Sequence, residues 1–313
     1  MKKVISVIVV TWNNEQEVTN CLTSFIKFFP SKFTYQIIVV DNNSSDRTVD
    51  TIRNKFSDEV LVLEPRKNLG FAGGNNYALH HIKGEYCLLL NPDTICTEDV
   101  VTPLVDCLEN CLDVGIVAPR LLYEDGGRQA SVFRFETPIA LLFENMRLGL
   151  LLPEFLKRRF SPYLAKRLPT MKVDWVIGAV MMLRSADLKK VNGLSEEYFM
   201  YTEDMDLCKK IADVGYATKY ISEVKIIHIG GQSETKNTNY KKTEKLLENK
   251  LIFIKKFYGL KSARRGRLIL LYVYAIKLIY AKLMCAVSPT DNNKALAQRM
   301  RLCLRYIWNN RVS

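Results

Sequence analysis

The chain has 313 residues and 48% of them are hydrophobic, so it is long enough for one large α/β domain with an appendage. Its formal net charge of +12 comes from the C-terminal part. From residue 238 onward the only acidic residues are Glu244, Glu248 and Asp291, whereas lysine and arginine recur throughout. A basic segment that alternates with long apolar runs favours an anionic membrane surface as partner and disfavours a nucleic acid.

The chain carries 8 cysteines without a CxxC pair, and only 3 histidines, which disfavours a zinc framework. Several cysteines lie in apolar runs, where a reduced, buried thiol is the default interpretation. The apolar stretch after Met1 is too short for a signal peptide, and no small-residue cleavage pattern follows it. We therefore expect a cytoplasmic location.

Strands and helices alternate through the first part of the chain. The pattern predicts strands at 4–10, 35–40, 60–63 and 86–90. It predicts helices at 15–29, from about 48, and from the end of a Gly/Asn loop at 68–76 to near 84. Such alternation is typical of a mostly parallel sheet flanked by helices, whose ligands bind at the carboxyl ends of the strands. The polar clusters after the first, second and fourth strands all fall at that rim.

The second part is less regular. Residues 137–171 contain several prolines, and we interpret them as an insertion or flexible lid on the acceptor side of the site. A second α/β stretch follows, with a strand at 175–183, a helix from 185, an acidic helix within 198–215 and a short strand at 224–228. The tail is predicted to carry a charged helix (240–258), an apolar helix (268–287) and a basic helix (292–308).

Two polar segments suit a nucleotide. Asp41 directly follows a buried strand, where its carboxylate can accept a hydrogen bond from the N3–H of a pyrimidine, although helix capping explains it equally well. Residues 68–76 (NLGFAGGNN) resemble a phosphate cradle, because glycines let backbone N–H groups approach oxygens. The segment is neither GxGxxG nor a P-loop, so a plain tight loop remains the alternative.

Asp93 and His228 are the candidate metal ligands. Asp93 ends the fourth strand, where a carboxylate beside a diphosphate suits Mg²⁺ or Mn²⁺; the alternative is a turn in which Asp93 caps the next helix. His228 closes a strand and precedes two glycines, a suitable place for a further ligand, although a single histidine is more often structural.

Glu203, Asp204 and Asp206 begin a helix after an aromatic run at 198–201. The helix macrodipole explains part of this clustering. The aromatic residues indicate a partly dry pocket in which one carboxylate serves as a base with a raised pKa. Glu203 and Asp206 share a helix face, so we expect one of them to brace the local fold.

These segments together resemble the inverting glycosyltransferases of family 2, especially the rhamnosyltransferase-like branch. The resemblance covers about residues 4–233 and rests on soft motifs in the family's order: VVTWN (9–13), VVDNNSSD (39–46), NLGFAGGNN (68–76), LNPDT (90–94), DWVIGA (174–179), YTEDMD (201–206) and HIGGQS (228–233). It implies the GT-A fold, a Rossmann-like, mostly parallel sheet flanked by helices, followed here by a helical tail. The domains would be 1–237, with a nucleotide-binding half (1–120) and an acceptor half (121–237), and a basic amphipathic tail (238–313).

The resemblance also implies roles for particular residues. Asp204 would be the general base that deprotonates the acceptor hydroxyl. Asp93 would bind a divalent cation, Mg²⁺ or Mn²⁺, with His228 as a candidate additional ligand. The sugar or acceptor would be walled by Trp175, Gly178 and Glu203. The nucleotide sugar would be held by Thr11, Asn13, Asp41, Asn43, Asn68, Gly73, Asn76, Asn91 and Asp93. Asn91 replaces the first carboxylate of the family's DxD pattern, which leaves one fewer negative charge for the metal.

The expected activity is transfer of a sugar, with rhamnose from dTDP-rhamnose as first choice, to a saccharide or lipid-linked saccharide in cell-surface polysaccharide synthesis. A UDP-hexose or UDP-galactofuranose transferase, or a non-catalytic nucleotide-sugar-binding protein, is the alternative. We expect the basic tail to hold the protein on the inner face of the cell membrane, with no nucleic-acid partner. Because Lys277 lies in the middle of the apolar helix, we expect that helix to lie on the membrane or pack on the domain instead of spanning.

Overall fold

The computed structural model describes residues 2–230 and 239–310, the first four residues of the second range by their backbone alone. The chain divides into two compact units: unit 1 is Met1–Phe133 with Ala165–Ser233, and unit 2 is Arg134–Leu164 with Glu234–Ser313. Most of the segment interpreted as an insertion or lid therefore belongs to the same unit as the C-terminal helices. The boundary predicted after residue 237 and the end of the HIGGQS motif lie outside the described residues.

Unit 1 begins with the alternation that the sequence predicts. Residues 5–11 of the first strand are all buried, as expected for a central strand covered on both faces. The elements are β1 (Val4–Thr11), α1 (Glu15–Lys27), β2 (Thr34–Asp41), α2 (Thr48–Phe56), β3 (Val60–Leu63), α3 (Gly70–Leu79) and β4 (Tyr86–Leu90).

The prediction of a loop at 68–76 is wrong for most of that segment, because helix α3 already begins at Gly70. A Cβ atom on Gly74 would lie 2.7 Å from Val10 Cγ1, so the glycine lets the helix pack directly on β1. Glycine costs a helix about 1 kcal/mol relative to alanine, and here the close packing offsets that cost. The sequence predicts a loop because glycine is unfavourable in helices. The strand that makes glycine necessary here is far away in the sequence, so no local pattern reveals it.

The remaining elements complete unit 1 and begin unit 2. They are β5 (Thr94–Ile95), α4 (Val101–Asn110), β6 (Val114–Leu122), β7 (Val132–Phe133), α5 (Pro138–Asn145), α6 (Glu154–Phe160), β8 (Met171–Val173), β9 (Trp175–Val176), β10 (Val180–Arg184), α7 (Ser185–Lys190), α8 (Glu203–Asp213) and β11 (Ala217–His228). The last strand is longer than the predicted 224–228. Helices α5 and α6 lie in the segment that was interpreted as a lid.

The main sheet has the strand order β3-β2-β1-β4-β10-β6-β11-β5, with β8 paired to β11. Strands β3, β2, β1 and β4 are parallel, and β6 is parallel to β11. β10 runs antiparallel to both β4 and β6, and β5 runs antiparallel to β11. Because β1, β2 and β4 are parallel, their carboxyl ends lie on one edge of the sheet. β10 pairs with β4 and continues the sheet toward β6, β11 and β5.

Unit 2 consists mainly of helices. Helix α9 (Asn239–Val287) is interrupted at Gly259, whose φ of 81° is not helical, and α10 (Asp291–Asn309) follows it. These three helical stretches match the three predicted for the tail. Lys250 Nζ lies 2.5 Å from Oε1 of the buried Glu136 and 2.9 Å from Oε2 of Glu144, which is exposed.

Candidate active site

The carboxylate of Asp41 is buried at the end of β2, beside Thr11 in the register of β1 and β2. Its two oxygens accept hydrogen bonds from Ser44, one from the backbone N–H at 2.8 Å and one from the hydroxyl at 2.5 Å. Asp41 therefore caps its own turn. Each oxygen keeps a further lone pair, so the cap leaves acceptor capacity for a ligand.

Asn13 and Asn42 tie the neighbouring loops together. Asn13 Oδ1 accepts the N–H of Ser45 at 2.7 Å, and its own N–H donates to Ser44 Oγ at 2.8 Å. Asn42 Nδ2 donates to the carbonyl of Gly70 at 2.9 Å. The loops after β1 and β2 and the start of α3 are thus fixed relative to one another.

A cavity of about 320 Å³ opens at the carboxyl ends of β2 and β3. Asp41 and Asn43 line it on the β2 side, and Arg66 lines it on the β3 side. Asn43 has a φ of 64°, a left-handed conformation that asparagine tolerates better than most residues. This arrangement offers carboxylate and guanidinium groups to a polar ring or its substituents.

The predicted nucleotide contacts along α3 lie in tighter surroundings. Asn68 Oδ1 accepts the N–H of Gly70, and a Cβ on Gly73 would meet Leu69 Cβ at 2.9 Å. Asn76 uses both ends of its amide on Leu194: Nδ2 donates to the carbonyl and Oδ1 accepts the N–H, each at 2.8 Å. The structure therefore gives Asn76 a bracing position, and ligand contacts from Asn68, Gly73 and Asn76 stay predictions.

Asp93 and His228 meet because β5 pairs with β11, which places Thr94 opposite His228. His228 Nε2 lies 3.3 Å from Asp93 Oδ1, and His228 Nδ1 lies 2.8 Å from Gln129 Oε1. Since an amide oxygen only accepts, Nδ1 carries a proton in this arrangement. Nε2, the other ring nitrogen, faces Asp93, so the two side chains come together at the edge of the sheet.

Asn91, two residues before Asp93, carries a further side-chain oxygen at this strand end. Within the described chain, its Oδ1 is a buried side-chain atom without a hydrogen-bond partner. Amide and carboxylate oxygens suit Mg²⁺ and Mn²⁺, and imidazole suits Mn²⁺, so the residues present fit a divalent cation. Among the described residues no group of three or more His, Cys, Asp or Glu is placed to hold a metal.

Asp204 lies in the first turn of α8 and is half-buried. Its Oδ2 accepts the N–H of Gly178 at 3.0 Å and its Oδ1 accepts the N–H of Met205 at 2.8 Å. Burial raises the pKa of the carboxyl to about 6, although these backbone donors oppose the rise. A carboxylate with that pKa is ionised at neutral pH and is a stronger base than an exposed aspartate.

Glu203 is more deeply buried than its neighbour. Burial, and then the charge of Asp204, raise its pKa to about 8, so the carboxyl is protonated at neutral pH. Its Oε2 is buried and makes no hydrogen bond in the described structure. Asp206 Oδ1 instead accepts the hydroxyl of Ser195 at 2.5 Å, so Asp206 is the acid that braces the local fold.

The backbone before α8 is strained. Tyr201 and Thr202 have φ values of 69° and 84°, which are rare for residues other than glycine. Two consecutive residues of this kind cost about 1–3 kcal/mol each and persist only where the surroundings enforce them. They turn the chain sharply after the aromatic run, so that the first turn of α8 meets Gly178.

Hydrogen bonds and packing connect these groups into one rim. The N–H of Asn91 donates to the carbonyl of Ala179 at 2.8 Å. The N–H of Gly178, the residue before Ala179, donates to the carboxylate of Asp204. A Cβ on Gly178 would lie 3.3 Å from Asp204 Cβ and 3.3 Å from Phe71 Cε1. The end of β4, the chain before β10, the start of α8 and α3 therefore converge.

Trp175 stands beside this rim in the two-stranded sheet of β7 and β9. Its ring stacks on Phe133, with ring centroids 4.6 Å apart and planes inclined by 19°. This places a flat aromatic surface three residues before Gly178, of the kind that can pack against a sugar ring.

Sequence reasoning missed Asn42, Gln129 and Phe71. Asn42 belongs to the motif that includes Asp41. Its position directly after an apolar strand is the sequence signal that could have indicated a structural amide. Gln129 lies in a polar turn region with no pattern that marks it. Phe71 lies in the segment that the sequence predicts to be a loop, so no sequence pattern indicates its packing against Gly178.

Comparison with known proteins identifies the family and the fold. A family model described as Glycosyl transferase family 2 matches residues 6–184, and one described as the N-terminal domain of galactosyltransferase matches residues 158–232. The low-salt glycan biosynthesis hexosyltransferase Agl10 of Haloferax volcanii is 26% identical over 209 residues, 65% of this chain and 60% of that protein. The chain thus spans less than two thirds of that relative's length.

Two further relatives are named rhamnosyltransferases. The N-acetylglucosaminyl-diphospho-decaprenol L-rhamnosyltransferase of Mycobacterium tuberculosis is 23% identical over 73% of this chain and 76% of its own length. The rhamnosyltransferase WbbL of Escherichia coli is 27% identical over 62% of this chain and 72% of its own length.

Solved structures share the fold at low identity. The mannosyltransferase PcManGT from Pyrobaculum calidifontis, in complex with GDP-Man and Mn²⁺, gives a TM-score of 0.58 at 15% identity, covering 99% of this chain and 87% of that chain. Staphylococcus aureus TarS 1-349, in complex with UDP-GlcNAc, gives 0.55 at 16% identity, covering 96% and 79%.

Proposed function

The chain belongs to glycosyltransferase family 2, with the GT-A fold, and from that premise we propose that it transfers rhamnose from dTDP-rhamnose to a saccharide or lipid-linked saccharide. The names of two relatives support the sugar and the kind of acceptor. The observation that carries the proposal is the continuous rim from Asn91 through Ala179 and Gly178 to Asp204. It sets a base beside the strand end that carries Asp93.

The donor would bind along the ends of β1, β2 and β4. Thr11 and Asp41, with the cavity beside them, would receive the base, and Asn91 and Asp93 would face the diphosphate. Asp93, His228 and Asn91 Oδ1 would hold a divalent cation. When bound, the cation would neutralise negative charge that develops on the leaving nucleoside diphosphate.

Asp204 would act as general base. In one displacement, its carboxylate takes the proton of the acceptor hydroxyl as that oxygen bonds to the anomeric carbon. The bond from this carbon to the diphosphate oxygen breaks on the opposite face, so the configuration inverts. The N–H groups of Gly178 and Met205 hold the carboxylate in place and leave lone pairs free for the proton.

Glu203 and Trp175 would complete the sugar pocket. Glu203, protonated and buried beside Asp204, would form part of the wall, while Trp175 offers a flat apolar surface. The tail would place the enzyme on the inner face of the membrane, where a lipid-linked acceptor would lie. In length and composition, one described helix, Thr243–Val287, could cross a membrane.

Asp204→Asn tests the mechanism against Asp213→Asn, an exposed acid in the same helix. We expect Asp204→Asn to bind the donor but to lose on the order of 10²–10⁴ in turnover, the usual contribution of a general base. Transfer is measured by chromatography of the glycosylated acceptor, and donor binding by thermal shift. Wild-type turnover of Asp204→Asn would refute the assignment.

A UDP-hexose or UDP-galactofuranose donor is the second candidate, supported by the match to the galactosyltransferase model and by the neighbour solved with UDP-GlcNAc. A thermal-shift screen with and without Mn²⁺ separates the two, because bound ligand raises stability by mass action. Stabilisation by a UDP sugar but not by dTDP-rhamnose would reverse the choice. Donor binding without transfer to any acceptor would favour a non-catalytic binding protein.

A further inference from the structure

The second half of α9 presents an apolar stripe to solvent. We define the stripe as the five large side chains that recur at helical spacing on one face and are 59% to 84% exposed: Leu268, Tyr272, Ile279, Leu283 and Val287. At a rise of about 1.5 Å per residue the stripe is about 28 Å long. A continuous apolar surface of this length marks an interaction site.

The opposite face of the same helix is occupied by unit 2 itself. Leu270, Val273 and Ala281 are fully buried. Arg267 Nε donates to the carbonyl of Ile307 in α10 at 3.0 Å. Because this face is committed to protein, the helix cannot be surrounded by lipid without losing those contacts, which argues against a spanning orientation.

Lys277 belongs to that inner face. Its Nζ lies 3.4 Å from Asn145 Oδ1 of α5 and 4.8 Å from the centre of the Tyr274 ring. The charge that breaks the apolar run in the sequence is therefore turned away from the stripe. The stripe itself carries no charged residue between Leu268 and Val287, and Lys282 lies at its edge.

The charges around the stripe have one sign. Arg264 and Arg265 are exposed one turn before it, and Lys282 is exposed beside it. No aspartate or glutamate occurs between residues 249 and 290. Such a surface complements anionic lipid headgroups, each basic residue contributing about 1 kcal/mol near the membrane. Two copies facing each other would instead bring these cations together.

We propose that the stripe inserts into the headgroup region of an anionic bilayer, with the helix axis in the membrane plane. Tyr272 has an apolar ring with a polar end, a type enriched at membrane interfaces. The proposal deepens the membrane placement proposed above by naming the surface that makes it. It concerns binding alone, so it can fail while the glycosyltransferase assignment stands.

Ile279→Asp tests the stripe, with Leu112→Asp in unit 1 as a matched control that changes an exposed aliphatic residue by the same charge. The full-length protein is sedimented with vesicles of phosphatidylglycerol and phosphatidylcholine, and with phosphatidylcholine alone. We expect the partition coefficient of Ile279→Asp to fall by about tenfold or more, because one large apolar side chain is worth about 1.5–3 kcal/mol on burial. Leu112→Asp should bind as the wild type does.

Arg264→Gln with Arg265→Gln tests the charge contribution. We expect this double variant to lose the preference for anionic vesicles, and added salt to weaken wild-type binding. Thermal unfolding and donor hydrolysis confirm that each variant is folded. Unchanged vesicle binding by Ile279→Asp, or a concentration-dependent dimer that this substitution abolishes in the absence of lipid, would overturn the proposal.

Discussion

Asp204 and Glu203 are adjacent carboxyl groups whose pKa values burial raises to different levels. The pKa of about 6 leaves Asp204 ionised at neutral pH, and the pKa of about 8 keeps Glu203 protonated. One group can accept a proton while the other can donate a hydrogen bond, a division that differing surroundings produce at many active sites. The Glu-Asp pair is therefore more than a charged helix start.

Glu203 should make the stability of the protein depend on pH. Its folded-state pKa lies above the value of 4.5 for an unperturbed glutamate, so the folded state binds the proton more tightly. The free energy of unfolding should fall as pH rises from about 4.5 to about 8, by at most about 1.4 kcal/mol per pH unit for one group. Glu203→Gln should flatten this fall, as measured by urea unfolding between pH 5 and pH 9. Parallel pH profiles for the two proteins would contradict it.

Asn91 is the residue at which the proposed cation site could be strengthened. Its unpartnered Oδ1 lies two residues before Asp93, so Asn91→Asp would add a carboxylate at the strand end without removing a described side-chain hydrogen bond. We expect a lower Mn²⁺ concentration for half-maximal activity. Transfer assays titrated with Mn²⁺ measure this, and Asp93→Asn should shift the requirement in the opposite direction. An unchanged Mn²⁺ requirement in both variants would argue against a cation at this position.

Among the elements, α3 depends on Gly70 at its start. Gly70 has a φ of 70°, and a Cβ there would lie well inside 3.0 Å of the carbonyl oxygen of Phe199. Gly70→Ala should therefore lower the free energy of unfolding by more than the roughly 1 kcal/mol that left-handed backbone alone costs alanine. Gly126→Ala is the control, because its φ is 78° but nothing lies within 4 Å. Equal losses in the two variants by chemical denaturation would contradict the steric account.

The elements show how far the sequence could be interpreted. Apolar runs and caps located β1 to β4 and α1, α2 and α8, because periodicity reflects burial directly. The sequence does not predict the helical start of α3. Its glycines are required by close packing against Val10 and Phe199, which are distant in sequence. The polar rim was foreseen from strand ends, whereas Gln129 and the bracing position of Asn76 depend on pairings that no local pattern encodes.

At the scale of the molecule, a partly buried ionic cluster joins the two segments of unit 2. Lys250 in α9 contacts Glu136 and Glu144, which lie in the segment that interrupts unit 1. The sequence composition does not predict that these two segments associate, because the paired residues Lys250 and Glu144 lie about 100 residues apart. The apolar and basic pattern of the tail was visible, but not its association with residues 134–164.

Removing Lys250 should therefore destabilise unit 2. Lys250→Met leaves Glu136 and Glu144 facing each other, and loss of one member of a buried ion pair costs on the order of 3 kcal/mol. Lys245→Met, which removes a more exposed pair with Glu248, should cost about 1 kcal/mol or less. Urea unfolding followed by circular dichroism measures both. A Lys250→Met protein as stable as Lys245→Met would show that the cluster contributes little.

The pairing of His228 with Asp93 and Gln129 also bears on synthesis. Gln129 and His228 are 99 residues apart, and Asp93 is made earlier still. The parallel strands β1 to β4 can associate once residue 90 has left the ribosome, but the proposed cation ligands Asp93 and His228 meet only when β11 docks beside β5. Contacts between such distant residues form late, because the loop between them must close first. We expect the nascent chain to form its nucleotide-side sheet first, and to bring Asp93, Gln129 and His228 together only after residue 228 has left the ribosome.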